Sequence, residues 1–385
     1  MDIEEYFGCR ASSNPADTKR ALRRDVWSED DNHIAEALYR HYRRHTLPLM
    51  ERPTNEPPDS ANTESVLIPK LLHFVWLGAD PIPTYNMGGV VDSSHYRGLW
   101  NAFIQSWSEH HPASSGWSIK VWTDESVVQL RNSDQPLTNQ AAFDYAMTIK
   151  NYGMASDILR LDILHKFGGV YVDVDYMCLG SVETFHQMFN FYCGCSNTGC
   201  VEVNNGLMGC VSSHPLVRIM MEDIREWFDR SGLGERNSQI TSAKKGDENL
   251  LPMSLLASFL DESSVLALQN ASDIEQRPST TDILRHTGPG LLTRSLYNAL
   301  VNVTHRHNEE KEGNPERWDD VCWVAILPSV FFHPFPNHLR GAITPEKEGI
   351  PPTDDRRNPV IDAVRDFIDP RYSKAVHVWG CSWQK

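Results

Sequence analysis

Ala155-Ser156-Asp157-Ile158-Leu159-Arg160, followed by Gly168-Gly169-Val170-Tyr171-Val172-Asp173-Val174-Asp175, is the stretch that decides the fold. Ile158, Leu161, Leu164 and Phe167 recur at helical spacing. They predict a helix from about Ala155 to Phe167, with Ser156 or Asp157 at its start. Gly168-Gly169 stops that helix and permits a sharp turn. A strand, Val170 to Val174, follows directly. Side chains alternate across a strand, so Asp173 and Asp175 are expected on one side and Val174 on the other.

Upstream, Leu71 to Leu77 reads as a buried strand ended by Gly78. Leu99 to His110 reads as an amphipathic helix carrying Phe103, Ile104 and Trp107 on one face, and Trp117 to Trp122 as a strand. Thr123 or Asp124 can cap a short helix after it. Strand, helix and strand in alternation argue for α/β with a largely parallel sheet. Downstream, helices are expected at His214 to Arg230, Asn249 to Leu260 and Leu291 to Val301. Val321 to Leu327 reads as a strand, and Lys311 to Asp320 and Thr344 to Asn358 as loops. The chain divides into a helical N-terminal extension (1–50), a linker rich in Pro, Ser and Asn (51–65) and a catalytic domain (66–385). In the extension, Ile34, Ala35, Leu38 and Tyr42 share a stripe. Two basic clusters flank it, Lys19 to Arg24 and Arg40 to Arg44, and they read as solvated faces rather than as a membrane or partner site.

With 385 residues the chain has ample length for a large core, and its formal net charge of -15 argues against nucleic acid as a partner. It does not exclude an anionic nucleotide, because a divalent metal supplies positive charge locally. No stretch reaches the ~18 apolar residues that span a bilayer, and the polar start MDIEEYFGCR is no secretory signal. A soluble, cytoplasmic protein is therefore expected. The eight cysteines then read as reduced, with Cys193, Cys195, Cys200 and Cys210 as structural thiols rather than a zinc site, since no C-x-x-C pair is present. Asn270-Ala271-Ser272 and Asn302-Val303-Thr304 fit the glycosylation pattern, which matters only in a secretory lumen.

Two acids at the end of an apolar strand repel one another and lose hydration. A hard divalent cation, Mn²⁺ or Mg²⁺, relieves both and leaves coordination positions for a diphosphate. A D-x-D pair alone is weak evidence, because any strand end can carry two exposed acids. Asp157 and Arg160 strengthen it. They share a helical face, and they suit sugar hydroxyls and phosphate oxygens respectively. A surface ion pair is the bland reading of those two.

Ile68-Pro69-Lys70, His73 and Trp76-Leu77-Gly78, together with the opening stretch, resemble the D-x-D sugar transferases of glycosyltransferase family 32. That group includes yeast-type initiating α-1,6-mannosyltransferases and, more distantly, the glucosylating domains of large clostridial toxins. The resemblance is strong over 66–176. It continues weakly through Asn204-Asn205-Gly206, Thr287-Gly288-Pro289 and His377 to Trp383. It implies a GT-A (Rossmann-like) α/β fold and transfer with retention. A GDP- or UDP-linked sugar would be the donor, and a glycan or other hydroxyl the acceptor. It also implies roles. Trp76 stacks on the nucleobase and Ser156 lies near the nucleoside. Asp157 and Arg160 grip the donor sugar, and Asn205 lies beneath it. Asp173 faces the ribose and sugar, Asp175 ligates the metal with Asp173 close by, His377 is a further metal ligand, and Ser382 and Trp383 close over the diphosphate. Plain structural readings stand beside these: Trp76 as core, Asn204-Asn205 as a turn, His377 as a satisfied histidine. Alternative functions are an effector that glycosylates a protein side chain, a non-catalytic nucleotide-sugar binder, and a phosphatase with a nucleophilic Asp. Tyr176-Met177-Cys178 after the motif disfavours the last.

Overall fold

A computed structural model of the chain describes residues 1–8, 27–51, 68–78, 97–133, 136–233, 278–309, 323–342 and 364–380. The expected helix at 249–260, the first basic cluster, residues 52–65 of the linker, the loops at 311–320 and 344–358, and Ser382 and Trp383 lie outside the described residues.

The chain opens with α1 (Ile3–Tyr6), α2 (Glu29–His41), a π-helical turn (Tyr42–Thr46) and α3 (Leu47–Met50). Next come β1 (Leu71–Val75), α4 (Arg97–His110), β2 (Ser118–Trp122), α5 (Asp124–Arg131), α6 (Gln140–Thr148), α7 (Tyr152–Phe167), β3 (Gly169–Val172) and β4 (Tyr176–Cys178). They are followed by α8 (Glu183–Met188), β5 (Phe191–Cys195), β6 (Val203–Cys210) and α9 (Pro215–Arg230). The last described elements are α10 (Thr280–His286), α11 (Pro289–Glu309), β7 (Val324–Leu327) and β8 (Ala375–His377).

Six strands form one sheet in the order β2-β1-β3-β6-β5-β7. β1 runs parallel to β2 and β3, and β5 parallel to β7. β6 is antiparallel to both of its neighbours. This is the mostly parallel α/β arrangement expected. Alternation sends Tyr171, Val324 and Ile326 into one apolar layer with α7, α9 and α11, and Val170, Val172, Ala325 and Leu327 into the other. Tyr6, Ala35, Leu38 and Tyr42 of the N-terminal helices belong to the first layer. The Tyr6 hydroxyl donates to the Ile326 carbonyl at 2.8 Å. Arg40, Arg43 and Arg44 are exposed. Cys193, Cys195 and Cys210 are buried free thiols, whereas Cys200 is exposed.

Three expectations need correction. Helix α7 begins at Tyr152, not Ala155, and its cap is Asn151, whose side chain accepts from the Met154 amide at 2.9 Å. Only first-turn amides need a cap, so Ser156 and Asp157, a turn further in, are released for other partners. Phe167, expected on the apolar stripe, is 38% exposed. Most important, β3 ends at Val172. Val174 and Asp175 form a turn closed by the Tyr176 amide on the Asp173 carbonyl at 3.2 Å. Strand alternation therefore does not set where the two acids point.

The turn between α7 and β3 needs glycine at both positions. Gly168 and Gly169 have φ of +61° and +91°, and a Cβ on Gly169 would sit 2.4 Å from the Leu71 carbonyl oxygen. His73 of β1 braces this turn. Its Nδ1 accepts from Trp122 Nε1 at 3.1 Å, so its Nε2 carries the proton that reaches the Gly168 carbonyl at 2.9 Å. Burial holds this imidazole down at about 4, against an ordinary 6.5.

A histidine with a depressed folded pKa contributes stability that is complete above the unfolded value. That stability is lost as pH falls from 6.5 towards 4. The loss for His73 is roughly 3 kcal/mol. His73→Gln is expected to flatten the fall of the denaturant midpoint over that interval by one proton's worth. Urea titrations at pH 7, 5.5 and 4 check it, and an unchanged slope would show that His73 does not titrate there.

Candidate active site

The C-terminal ends of the parallel strands β1 and β3 share one edge of the sheet, where α/β proteins place their ligands. Trp76, just past β1, is partly buried. Its amide donates to the Trp122 carbonyl at 2.8 Å, and its ring packs against the apolar cluster of Met177, Val376, Val378 and Trp379.

Arg160 of α7 is the hub of this edge. It is 4% exposed. Its Nη1 donates to the Asn205 carbonyl at 2.8 Å, and its Nη2 reaches Asp157 Oδ1 at 3.0 Å and Asp173 Oδ1 at 3.2 Å. The guanidinium lies 4.4 Å from the centre of the Tyr171 ring. Burial alone would lower its pKa, but Asp173, Tyr171 and Asp157 together outweigh that and hold it above its ordinary value.

Asp157 accepts from Asn205 Nδ2 at 2.9 Å on Oδ1 and from Thr287 Oγ1 at 3.2 Å on Oδ2. Its carboxyl is raised, because burial outweighs Arg160, Asn205 and Thr287. Asn204, Asn205 and Gly206 lie within β6, not in a turn. A Cβ on Gly206 would come within 2.6 Å of Asp173 Oδ2, so only glycine leaves that carboxylate its place. Ser156 Oγ lies 3.1 Å from the Tyr171 hydroxyl, which donates to Asp173 Oδ1 at 2.6 Å. The tyrosine has one proton and spends it on the carboxylate, so Ser156 is the donor to Tyr171.

The two motif acids belong to different networks. Asp173 is tied to Arg160 and Tyr171. Asp175 Oδ2 accepts from the Gly380 amide at 2.7 Å and meets His377 Nε2 at 3.0 Å. Burial raises Asp173, and the neighbouring Asp175 adds to that. Burial acts on Asp175 too, but His377 and the Gly380 amide together override it and hold the carboxyl below its ordinary value. His377 stacks on Tyr176 with ring centres 4.2 Å apart and planes 6° apart.

These contacts fall on Oδ1 of Asp173 and Oδ2 of Asp175. Two hard carboxylates close together suit Mg²⁺ or Mn²⁺ completed by phosphate and water. His377 meets Asp175 directly. Among the described residues no three His, Cys, Asp or Glu side chains form a metal-holding group. The structure thus joins Ser156, Asp157, Arg160, Asp173 and Asn205 in one network and Asp175 with His377 in a second. Sequence reasoning gave no role to Thr287, which T-G-P hinted at, to Gly380, or to His333, whose Nε2 meets the Tyr176 hydroxyl.

Residues 98–191 match the family described as glycosyltransferase sugar-binding region containing DXD motif. That match lies in the centre of the chain and takes in the α7–β3 unit with both motif acids. Inositol phosphoceramide mannosyltransferase 1 of Schizosaccharomyces pombe is 24% identical over 171 residues, 44% of this chain and 47% of the relative. Subversion of eukaryotic traffic protein A of Legionella pneumophila is 23% identical over 188 residues, 42% of this chain and 26% of that protein. The chain thus matches less than half the length of either. Among solved structures, PaToxG glycosyltransferase is 14% identical with a TM-score of 0.35, covering 73% of this chain and 86% of its own. The catalytic domain of alpha-toxin from Clostridium novyi is 10% identical with a TM-score of 0.34, covering 62% and 74%. At such scores the fold rests on this chain's own strand order.

Removing a buried charge partner leaves the others uncompensated. Arg160→Met is expected to cost about 3–5 kcal/mol of unfolding free energy. Chemical denaturation measures it, and a loss under ~1 kcal/mol would mean that the carboxylates do not depend on Arg160.

Proposed function

We propose that this chain is a retaining glycosyltransferase, in which a divalent metal assists transfer of a hexose from a nucleotide-diphosphate sugar to a hydroxyl acceptor. The observation that carries this reading is the buried Asp157–Arg160–Asn205 network set directly against the D-x-D turn. Asp157, Asp173 and Asp175 outnumber the single guanidinium, so the edge favours a cation and, through it, a diphosphate. Residues 66–385 would form the catalytic unit, with 1–50 packed on it. Among the described residues no helix is long and apolar enough to cross a membrane, and we take the enzyme to be soluble.

In the reaction the anomeric carbon–oxygen bond to the diphosphate breaks, and a bond to the acceptor oxygen forms on the same face. The acceptor proton passes to the departing diphosphate. Asp157 accepts from a donor-sugar hydroxyl and fixes the ring. Arg160 holds Asp157 and Asp173 in register and adds positive charge beneath the sugar. Asp173 faces ribose and sugar, and Trp76 offers its ring to the base. Mn²⁺ or Mg²⁺, held by Asp175 with Asp173 and with His377 behind them, would supply Lewis-acid stabilisation of the leaving group. Catalysis on this scheme is positional and electrostatic. The names of the fungal relatives put mannose, hence GDP-mannose, first among donors. A UDP-hexose comes next, and a glycan or inositol-bearing headgroup is the acceptor to try.

A thermal-shift screen of GDP-mannose, UDP-glucose, UDP-galactose and UDP-N-acetylglucosamine, each with Mn²⁺, tests this reading. A donor at 100 times its Kd stabilises by about 2.7 kcal/mol, a rise of roughly 3 °C for a chain of this size. Asp175→Asn should keep the fold and lower metal-dependent transfer or donor hydrolysis by about 1,000-fold. No shift with any donor, or full activity in Asp175→Asn, would refute the assignment.

A further inference from the structure

We propose that Thr287 is the positioning residue for Asp157, and that it restricts Asp157 to reading a single donor-sugar hydroxyl. This rests on the reading of Asp157 as a sugar-binding group. Thr287 follows α10, is 2% exposed, and brings its hydroxyl to two acceptors, Asp157 Oδ2 at 3.2 Å and the Ile283 carbonyl at 3.0 Å. One proton cannot serve both. The Ile283 carbonyl already accepts the Thr287 amide at 2.9 Å and the Gly288 amide at 3.1 Å, which fills its two lone pairs. The hydroxyl proton therefore belongs to Asp157, the charged and stronger acceptor.

A carboxylate offers about four acceptor directions. Asn205 Nδ2 takes one on Oδ1, the Arg160 guanidinium sits in ion-pair contact with that same oxygen at 3.0 Å, and Thr287 takes one on Oδ2. One direction on Oδ2 remains. With Thr287 in place the carboxylate cannot rotate, and that last lone pair points at a constant spot. Without the hydroxyl, Oδ2 has two free directions and no anchor, so the carboxylate loses its aim. The anchor is itself built firmly. Ser279 and Asp282 form a reciprocal capping box at the start of α10, and at its end His286 stacks on Trp227 with planes 6° apart.

Thr287→Val keeps the shape and deletes the hydroxyl; Thr287→Ser restores it. Calorimetry with Mn²⁺ would compare GDP-mannose and UDP-glucose with plain GDP and UDP. Thr287→Val should bind the nucleotide sugar roughly 10- to 100-fold more weakly, the value of a hydrogen bond to a charged group. Its affinity for the bare diphosphate should not change, and Thr287→Ser should recover most of the loss. Wild-type sugar affinity in Thr287→Val, or an equal loss for sugar and bare diphosphate, would overturn the proposal. If the unmodified protein binds none of these ligands, the functional reading fails, and a double-mutant cycle in urea still decides the contact. Thr287→Val should then shift the midpoint clearly less in an Asp157→Ala background than alone. Additive shifts would show that the two side chains do not depend on each other.

Discussion

A buried guanidinium must be surrounded by acceptors, and meeting that demand for Arg160 organises this molecule. Burying a cation costs several kcal/mol unless geometry and hydrogen bonds compensate. Here the compensation comes from three segments: Asp157 on the same helix, Asp173 at the end of β3, and the Asn205 carbonyl of β6. The antiparallel register Val172↔Leu207 puts Asn205 opposite the motif. A slip by one residue would turn every β6 side chain to the other face and leave Arg160 without that arrangement. The ion network and the sheet register are thus the same constraint seen from two sides.

The first part of this architecture was legible in the chain. Helical spacing from Ile158 to Leu164, ended by Gly168-Gly169 and followed by an apolar run, has few alternative readings. The misreadings share a physical cause. Asn204-Asn205-Gly206 has the composition of a turn, yet it is strand, because each polar group is satisfied locally. Asn204 Oδ1 accepts the Gly206 amide at 2.7 Å and the Tyr176 hydroxyl at 3.0 Å. Polar residues paired in this way sit within a buried strand without breaking it. The D-x-D acids were extrapolated as strand beyond the last ladder pair. Thr287 contacts Asp157 across 130 positions, and no local pattern reports a contact of that range. Only the weak T-G-P similarity pointed there.

The turn geometry changes what the motif means. If Asp173 and Asp175 shared a strand face, they would be near-equivalent ligands. In the structure they are held from opposite sides and their carboxyl pKa values move in opposite directions. The Asp173 side chain is 30% exposed and the Asp175 side chain 14%. Asp173 is thereby bound to the network of Arg160 and Tyr171. Asp175 answers to the C-terminal segment.

That segment carries backbone strain where it meets the motif. Trp379 has φ of +57°, a left-handed conformation that costs an L-residue roughly 1–2 kcal/mol. Its Nε1 donates to the Phe335 carbonyl at 2.9 Å, and its ring lies 4.1 Å from that of His377. The strained turn delivers the Gly380 amide to Asp175. Two of the three carboxylates therefore have an anchor from far along the chain: Thr287 for Asp157, His377 and Gly380 for Asp175. The central α7–β3 unit supplies the charged groups and orients Asp173 by itself, but Asp157 and Asp175 take their directions only when the C-terminal third folds back onto it.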